Sequence, residues 1–178
     1  MKPLLSLICA LFVAQHSVEA QAPATIVTFD SAKLTAGDAL PGSNAIVTVT
    51  FKIQPGYYLH SNRPIVARAV ATQVQLGTLG TTRALPPAYS NPGQKTIPGS
   101  AVPVQVYEGS MSVTVPVVIG ANAVFPITLP GLISYAAVNE KTQTAGRTEQ
   151  VRFSVTLPRS TNTPPVAAKT PPVAPKKR

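Results

Sequence analysis

Cysteine is almost missing from this chain. Its 178 residues contain one, Cys9, and that residue lies in a stretch with the marks of a removable export signal. Lys2 supplies a short positive start and residues 4–13 (LLSLICALFV) form an apolar run. Val18-Glu19-Ala20 presents small or tolerated residues ahead of a cut before Gln21. Lipidation of Cys9 is excluded, because Ser6-Leu7-Ile8 lacks the small residue that must precede a lipidated cysteine. Export is therefore expected to leave a mature chain without any thiol, in the periplasm or outside the cell. A thiol-free chain has no disulfide to staple it, so its core rests on apolar burial alone. The residues after position 20 suffice for one such domain.

Other scarcities narrow the chemistry. Histidine occurs twice, and only His60 lies beyond the signal. A histidine-rich metal site is excluded, and Asp30, Asp38 and Glu108 stand at no ligand spacing from His60. Ser100, Ser110 and Ser112 have neither a nucleophile elbow nor a second histidine, so a hydrolytic triad has no basis. Glycines 77, 80, 93, 99 and 109 follow no phosphate-loop spacing. No metal, cofactor or enzymatic activity is expected. Beyond residues 4–13 no apolar run approaches the roughly 20 residues that cross a bilayer. Acid is scarce too, with six Asp and Glu against fifteen Lys and Arg.

Much of that basic excess is local. Residues 158–178 hold six prolines, five basic residues and no acid, and Thr163-Pro-Pro-Val-Ala-Ala-Lys169 is nearly repeated as Thr170-Pro-Pro-Val-Ala-Pro-Lys176. Such a segment has too few large apolar groups to collapse and is expected to be a disordered, extended tail. Lys169, Lys176, Lys177 and Arg178 suit weak contact with an anionic envelope surface, screened beyond about 8 Å at physiological salt. Nucleic acid is not expected as a partner, because the tail offers no aromatic ring for bases to stack on. The expected organisation is a signal peptide over 1–20, one domain over 21–157 and the tail over 158–178.

The domain reads as all-β. In residues 45–53, Ala45, Val47, Val49, Phe51 and Ile53 alternate with Ile46, Thr48, Thr50 and Lys52, the period of a strand with one apolar face. Pro55-Gly56 then turns the chain into a second extended piece at Tyr57. Further strands are expected at residues 25–29, 72–79, 102–107, 111–119, 125–129, 132–138 and 150–157. Prolines 86, 87, 92, 98, 103, 116, 126 and 130 argue against long helices and place several strands at edges or bulges. The sum is a β-sandwich of about eight strands. Tyr58 and His60, two apart on one strand, share a face.

Three stretches, in order, carry a family resemblance. They are Val49-Thr-Phe-Lys-Ile-Gln-Pro-Gly-Tyr-Tyr-Leu-His-Ser-Asn-Arg-Pro64, then Val104-Gln-Val-Tyr-Glu-Gly109 with Val113-Thr-Val-Pro116, and Ile133-Ser-Tyr-Ala-Ala-Val138. Together they resemble the N-terminal periplasmic domain of the thiol:disulfide interchange protein DsbD over roughly residues 25–157. The resemblance implies an immunoglobulin-like sandwich that passes electrons from a membrane partner to thioredoxin-like proteins. It also implies a Tyr-x-x-Cys motif at a strand end, with a second cysteine six positions on. Laid on this chain, Val138 and Thr144 occupy those two positions, and neither side chain can attack a disulfide. An aromatic cap loop that shields the cysteines in the family is replaced by Ile97-Pro-Gly-Ser-Ala-Val-Pro103. Tyr58 and His60 correspond to residues that flank the redox pair in the family, and with Tyr107 and Tyr135 they make up the candidate docking face. Two readings follow. One is a non-catalytic protein-binding module of the cell envelope. The other is an accessory component that recognises a thioredoxin-like or membrane partner in a thiol-disulfide interchange or cytochrome-maturation pathway.

Overall fold

In a computed structural model of the chain, which describes residues 25–98 and 100–161, every regular element is a strand. The expected signal peptide and most of the expected tail, including Lys169, Lys176, Lys177 and Arg178, lie outside the described residues. The elements are β1 (Val27–Gly37), β2 (Asn44–Ile53), β3 (Tyr57–His60), β4 (Gln73–Leu76), β5 (Thr78–Leu79), β6 (Thr82–Ala84), β7 (Ala88–Tyr89), β8 (Gly93–Lys95), β9 (Val104–Tyr107), β10 (Ser110–Val118), β11 (Ile127–Tyr135), β12 (Ala137–Asn139) and β13 (Glu149–Leu157). They form an immunoglobulin-like sandwich. One sheet runs β1-β2-β10-β6-β5, with β7 also on β10, and the opposing sheet runs β13-β11-β4. A third, smaller sheet, β12-β3-β9-β8, continues the chain at one end.

The alternation in β2 sets the core. Ala45, Val47, Val49, Phe51 and Ile53 are all buried, as are Met111, Val113, Val115 and Val117 opposite them on β10. From the facing sheet Ile127, Leu129 and Ile133 of β11 and Val155 and Leu157 of β13 close the layer. The Phe51 ring sits edge-on to Phe29 at 6.2 Å and to Phe153 at 5.1 Å, so three strands meet in one aromatic cluster. On the outer face of the first sheet the side chains are hydroxyls that bond across strands, Thr35 to Thr48 at 3.1 Å and Thr50 to Ser112 at 3.2 Å.

Three expectations need correction. Residues 125–129 and 132–138 do not form two strands parted at Pro130-Gly131; β11 runs through that pair. Pro116 and Pro130 lie in strands flanked on both sides, not at edges. In a strand the N and O of one residue point to the same side. The Pro116 carbonyl accepts from Leu85 N at 2.8 Å, so its missing N–H points between β6 and β7, where β10 has no ladder partner. Likewise the Pro130 carbonyl accepts from Gly77 N at 2.7 Å, beyond the end of the β4 ladder. Neither proline breaks a bond the sheet uses. Gly131 is required for a different reason: a Cβ there would collide with the Phe153 ring paired across from it. Finally, the fold extends past Leu157. Ala39 N donates to Ser160 Oγ at 2.8 Å and Ser160 N donates to the Ala39 carbonyl at 3.0 Å, so residues 158–160 belong to the sandwich rather than to the tail.

Candidate functional site

The small sheet holds most of the residues singled out in the sequence. Pro55-Gly56 turns the chain out of β2, with Gly56 at φ 83°, and delivers β3. β12 pairs antiparallel with β3, setting Val138 opposite Tyr58. On its other side Val138 opposes Ala145, not Thr144. The bonds flanking that pair, Asn139 N to the Thr144 carbonyl (3.1 Å) and Gly146 N to the Ala137 carbonyl (2.8 Å), make it a non-hydrogen-bonded pair. Side chains of such a pair share a face and approach most closely. Thr144 is one place out of register with Val138, so its exposed side chain lies on the other face. The turn inserts the extra residue: Asn139 Oδ1 accepts from Lys141 N and Thr142 N, and Gln143 takes a left-handed φ of 54°.

Around this hairpin the polar groups are tied together. Tyr58 OH donates to Gln143 Oε1 at 3.0 Å, and Gln143 Nε2 donates to the Glu140 carbonyl at 2.6 Å. Lys95 pairs with Glu108 and, at 2.7 Å, with Glu140, its ammonium 5.2 Å from the centre of the Tyr58 ring. Donating to the two carboxylates raises the Lys95 pKa, and accepting from Lys95 lowers that of Glu140. Burial raises the Tyr58 phenol, opposed by the Lys95 charge.

The four candidate docking rings do not make an exposed face. Tyr58, His60, Tyr107 and Tyr135 are all buried. Tyr107 and Tyr135 pack into the main core, their hydroxyls donating to Asn62 at 3.2 Å and Glu149 at 2.7 Å. Burial, then the Glu149 carboxylate, pushes the Tyr135 phenol far up. Tyr107, opposite Leu59 on β3, faces the main core with it, whereas Tyr58 belongs to the separate cluster of Val104, Val106 and Val138, so the four rings do not share one face. Tyr58 and His60 do share a side, with rings edge-to-face at 5.8 Å. Instead of a surface, they line a pocket of about 410 Å³ together with Arg68, Ile97, Val138 and Gln143. Ile97, from the segment standing in for the aromatic cap, packs on the cluster of Tyr58, Val104, Val106 and Val138.

His60 is 8% exposed, and its Nδ1 is buried with no hydrogen-bond partner. Burial lowers its pKa and keeps the ring neutral at physiological pH. Arg68 has a left-handed φ of 66°, which side chains other than glycine seldom adopt. Neither feature is visible in the sequence pattern. Among the described residues no three His, Cys, Asp or Glu side chains gather in a way that would hold a metal, and no helix is long and apolar enough to cross a membrane.

The model of one protein family, the N-terminal region of the thiol:disulfide interchange protein DsbD, matches residues 24–136 and so stops just short of Val138. Among solved structures, the reduced N-terminal domain of DsbD from Neisseria meningitidis is 19% identical with a TM-score of 0.41, over 73% of this chain and 86% of that one. The N-terminal periplasmic domain of ScsB from Proteus mirabilis is 13% identical with a TM-score of 0.42, over 69% of this chain and 44% of its own. A structure of the complex between the DsbD and PilB N-terminal domains of Neisseria meningitidis gives 16% identity and a TM-score of 0.40, over 80% and 95%. No curated protein matches the chain.

Proposed function

Because the chain belongs to the family of DsbD N-terminal domains, we propose that it is a non-catalytic protein-binding module of the cell envelope. One observation carries this reading. At the end of the strand where the family resemblance sets its first cysteine stands Val138, buried and facing Ala145, and the sequence has no cysteine after Cys9. Thiol-disulfide exchange needs a thiolate and a mixed-disulfide intermediate, and neither an isopropyl nor a methyl group supplies them. Where the family resemblance places the electron-transfer pair, this chain has a packed hydrocarbon contact. The signal over 1–20 would deliver the domain to the periplasm or beyond, and the basic residues 169, 176, 177 and 178 would add a weak hold on anionic surfaces.

An insulin-reduction assay coupled to thioredoxin tests the reading, with the expected rate equal to the blank. Turnover above the blank overturns it. A second assay tests the frame. Residues of a non-hydrogen-bonded pair have Cα atoms about 4.5 Å apart, inside the roughly 4.4–6.8 Å that a disulfide spans. The double variant Val138→Cys with Ala145→Cys should therefore oxidise under mild conditions, whereas Val138→Cys with Thr144→Cys should stay reduced.

The accessory reading, recognition of a thioredoxin-like or membrane partner without electron transfer, draws support from Ile97, which packs over Tyr58 and Val138 in the segment that stands where the family resemblance places a cap. Capture of a thioredoxin-like envelope protein by the wild-type domain, lost on Val138→Asp, would favour it.

A further inference from the structure

The pocket beside Val138 has a chemical bias that partner recognition does not explain. Its walls are apolar, from Val66, Ile97 and Val138, and its polar groups divide into those already used and those still free. Gln143 is used at both ends of its amide, by Tyr58 and by the Glu140 carbonyl. Glu108 and Glu140, both held by Lys95, are not among the pocket's lining residues. Two groups remain. Arg68 lines the pocket and makes no ion pair among the described residues. His60 lines it too, with a buried Nδ1 that has no partner.

The state of that imidazole follows from the orphaned nitrogen. A buried N–H without an acceptor is rarer and less tolerable than a bare acceptor lone pair, so the proton of the neutral ring is assigned to Nε2. His60 then offers the pocket a donor, beside the five donors of the Arg68 guanidinium. The cavity therefore combines apolar walls with the positive charge of Arg68 and the Nε2 donor of His60, and no carboxylate is among its lining residues. Its volume falls within the roughly 300–1,000 Å³ of small-molecule sites, which combine apolar walls with a few convergent polar groups. The left-handed backbone of Arg68 is a second, independent mark, since such strain persists where surrounding structure enforces it and concentrates at ligand clamps.

We infer that the pocket formed by Tyr58, His60, Arg68, Ile97 and Val138 binds a small carboxylate with a compact apolar body, its carboxylate on Arg68 and His60 and its hydrocarbon against Val138. The inference does not depend on whether the domain has a protein partner.

The test is a titration of the full chain with isovalerate, followed by amide chemical shifts in nitrogen-15 NMR, with isovaleramide as the neutral isostere. Saturable shifts should concentrate at residues 58–60, 66–70 and 138–146, and the amide should bind about tenfold more weakly, because it loses the charge-assisted bonds. Arg68→Gly takes the same backbone angle without strain, so it should fold at least as well as wild type and still lose about tenfold or more in affinity. His60→Phe keeps a buried ring and should lose severalfold. Acetyl-valine separates the two sources of such a group: tighter binding than isovalerate points to the carboxyl end of a peptide, weaker binding to a free acid. Absence of saturable shifts with either acid at roughly 10 mM, where a dissociation constant of about 1 mM would be near saturation, overturns the inference. So does equal affinity for acid and amide, or unchanged binding in Arg68→Gly.

Discussion

The two ends of this domain are held together in different ways. In the sandwich, strands of nine to eleven residues bury Val, Ile, Leu and Phe side chains in continuous layers. In the small sheet, strands of three or four residues enclose only Tyr58, Val104, Val106 and Val138, and the work of fixing the hairpin passes to Lys95, Glu108, Glu140 and Gln143. The long ladders accommodate Pro116 and Pro130 because each proline nitrogen faces a gap in the pairing, and Gly131 because the Phe153 ring fills the place of its side chain. Charge and hydrogen-bond geometry are directional but weak in water, so the small sheet can hold an open pocket and an orphaned histidine only because the sandwich carries the stability. Function has room to change where stability is not being made.

Four experiments would break or sharpen that contrast. Phe51→Ala empties the meeting point of three strands and should destabilise by about 3–5 kcal/mol in urea unfolding; a loss under about 1 kcal/mol would place the core elsewhere. Gly131→Ala forces a methyl into the Phe153 ring and should cost about 1–3 kcal/mol by overpacking, while Gly80→Ala, whose added methyl meets nothing, should show only the strain of its left-handed φ. On the other side of the comparison, Tyr58→Phe removes only the bond to Gln143 and should cost about 0.5–1.5 kcal/mol. A cost as large as that of Phe51→Ala would mean the two regions are not energetically distinct.

The smallest effect is a pH dependence. Burial holds the folded His60 pKa below its ordinary 6.5, so between those two values the unfolded chain binds more protons than the folded one. Stability should fall as pH drops below about 6.5 and level off under the folded pKa. Asp30 and Glu140, kept low by Lys52 and Lys95, act in the same direction but only below their ordinary 3.8 and 4.5. A thermal midpoint followed from pH 7 to pH 5 should therefore decline in the wild type and stay flat in His60→Phe.

The same contrast governs what could be read from the sequence. β2 was legible because one of its faces is buried along its full length, which writes a strict period of two into the residues. β11 was misread at Pro130-Gly131, since the sequence shows two breakers but not that the proline nitrogen faces a gap or that an aromatic ring fills the glycine's place. β6, β7 and β8 are too short for any period to show. At the site, the shared side of Tyr58 and His60 was legible, whereas the pairing of Val138 with Ala145 was not, because the turn from Asn139 to Gln143 sets a register that spacing alone does not give. Arg68 left no signal, its role arising from a backbone angle and from cavity walls supplied by residues 97 and 138.

The register between β2 and β10 has a consequence in time. Ile53 N bonds to the Gly109 carbonyl, and from there the two strands pair through to Asn44 and Val118. Everything from β3 to β9 is thus a single excursion whose ends are stitched together by the central ladder. Closing so distant a contact is slow in any chain, and sandwiches dominated by such pairings fold in milliseconds to seconds. The β1–β2 hairpin can form early and locally, but the pocket is assembled inside the excursion and waits for its ends to meet. For that interval the edge of β2 that will pair with β10 keeps its backbone N–H and C=O groups unpaired, a template open to other strands.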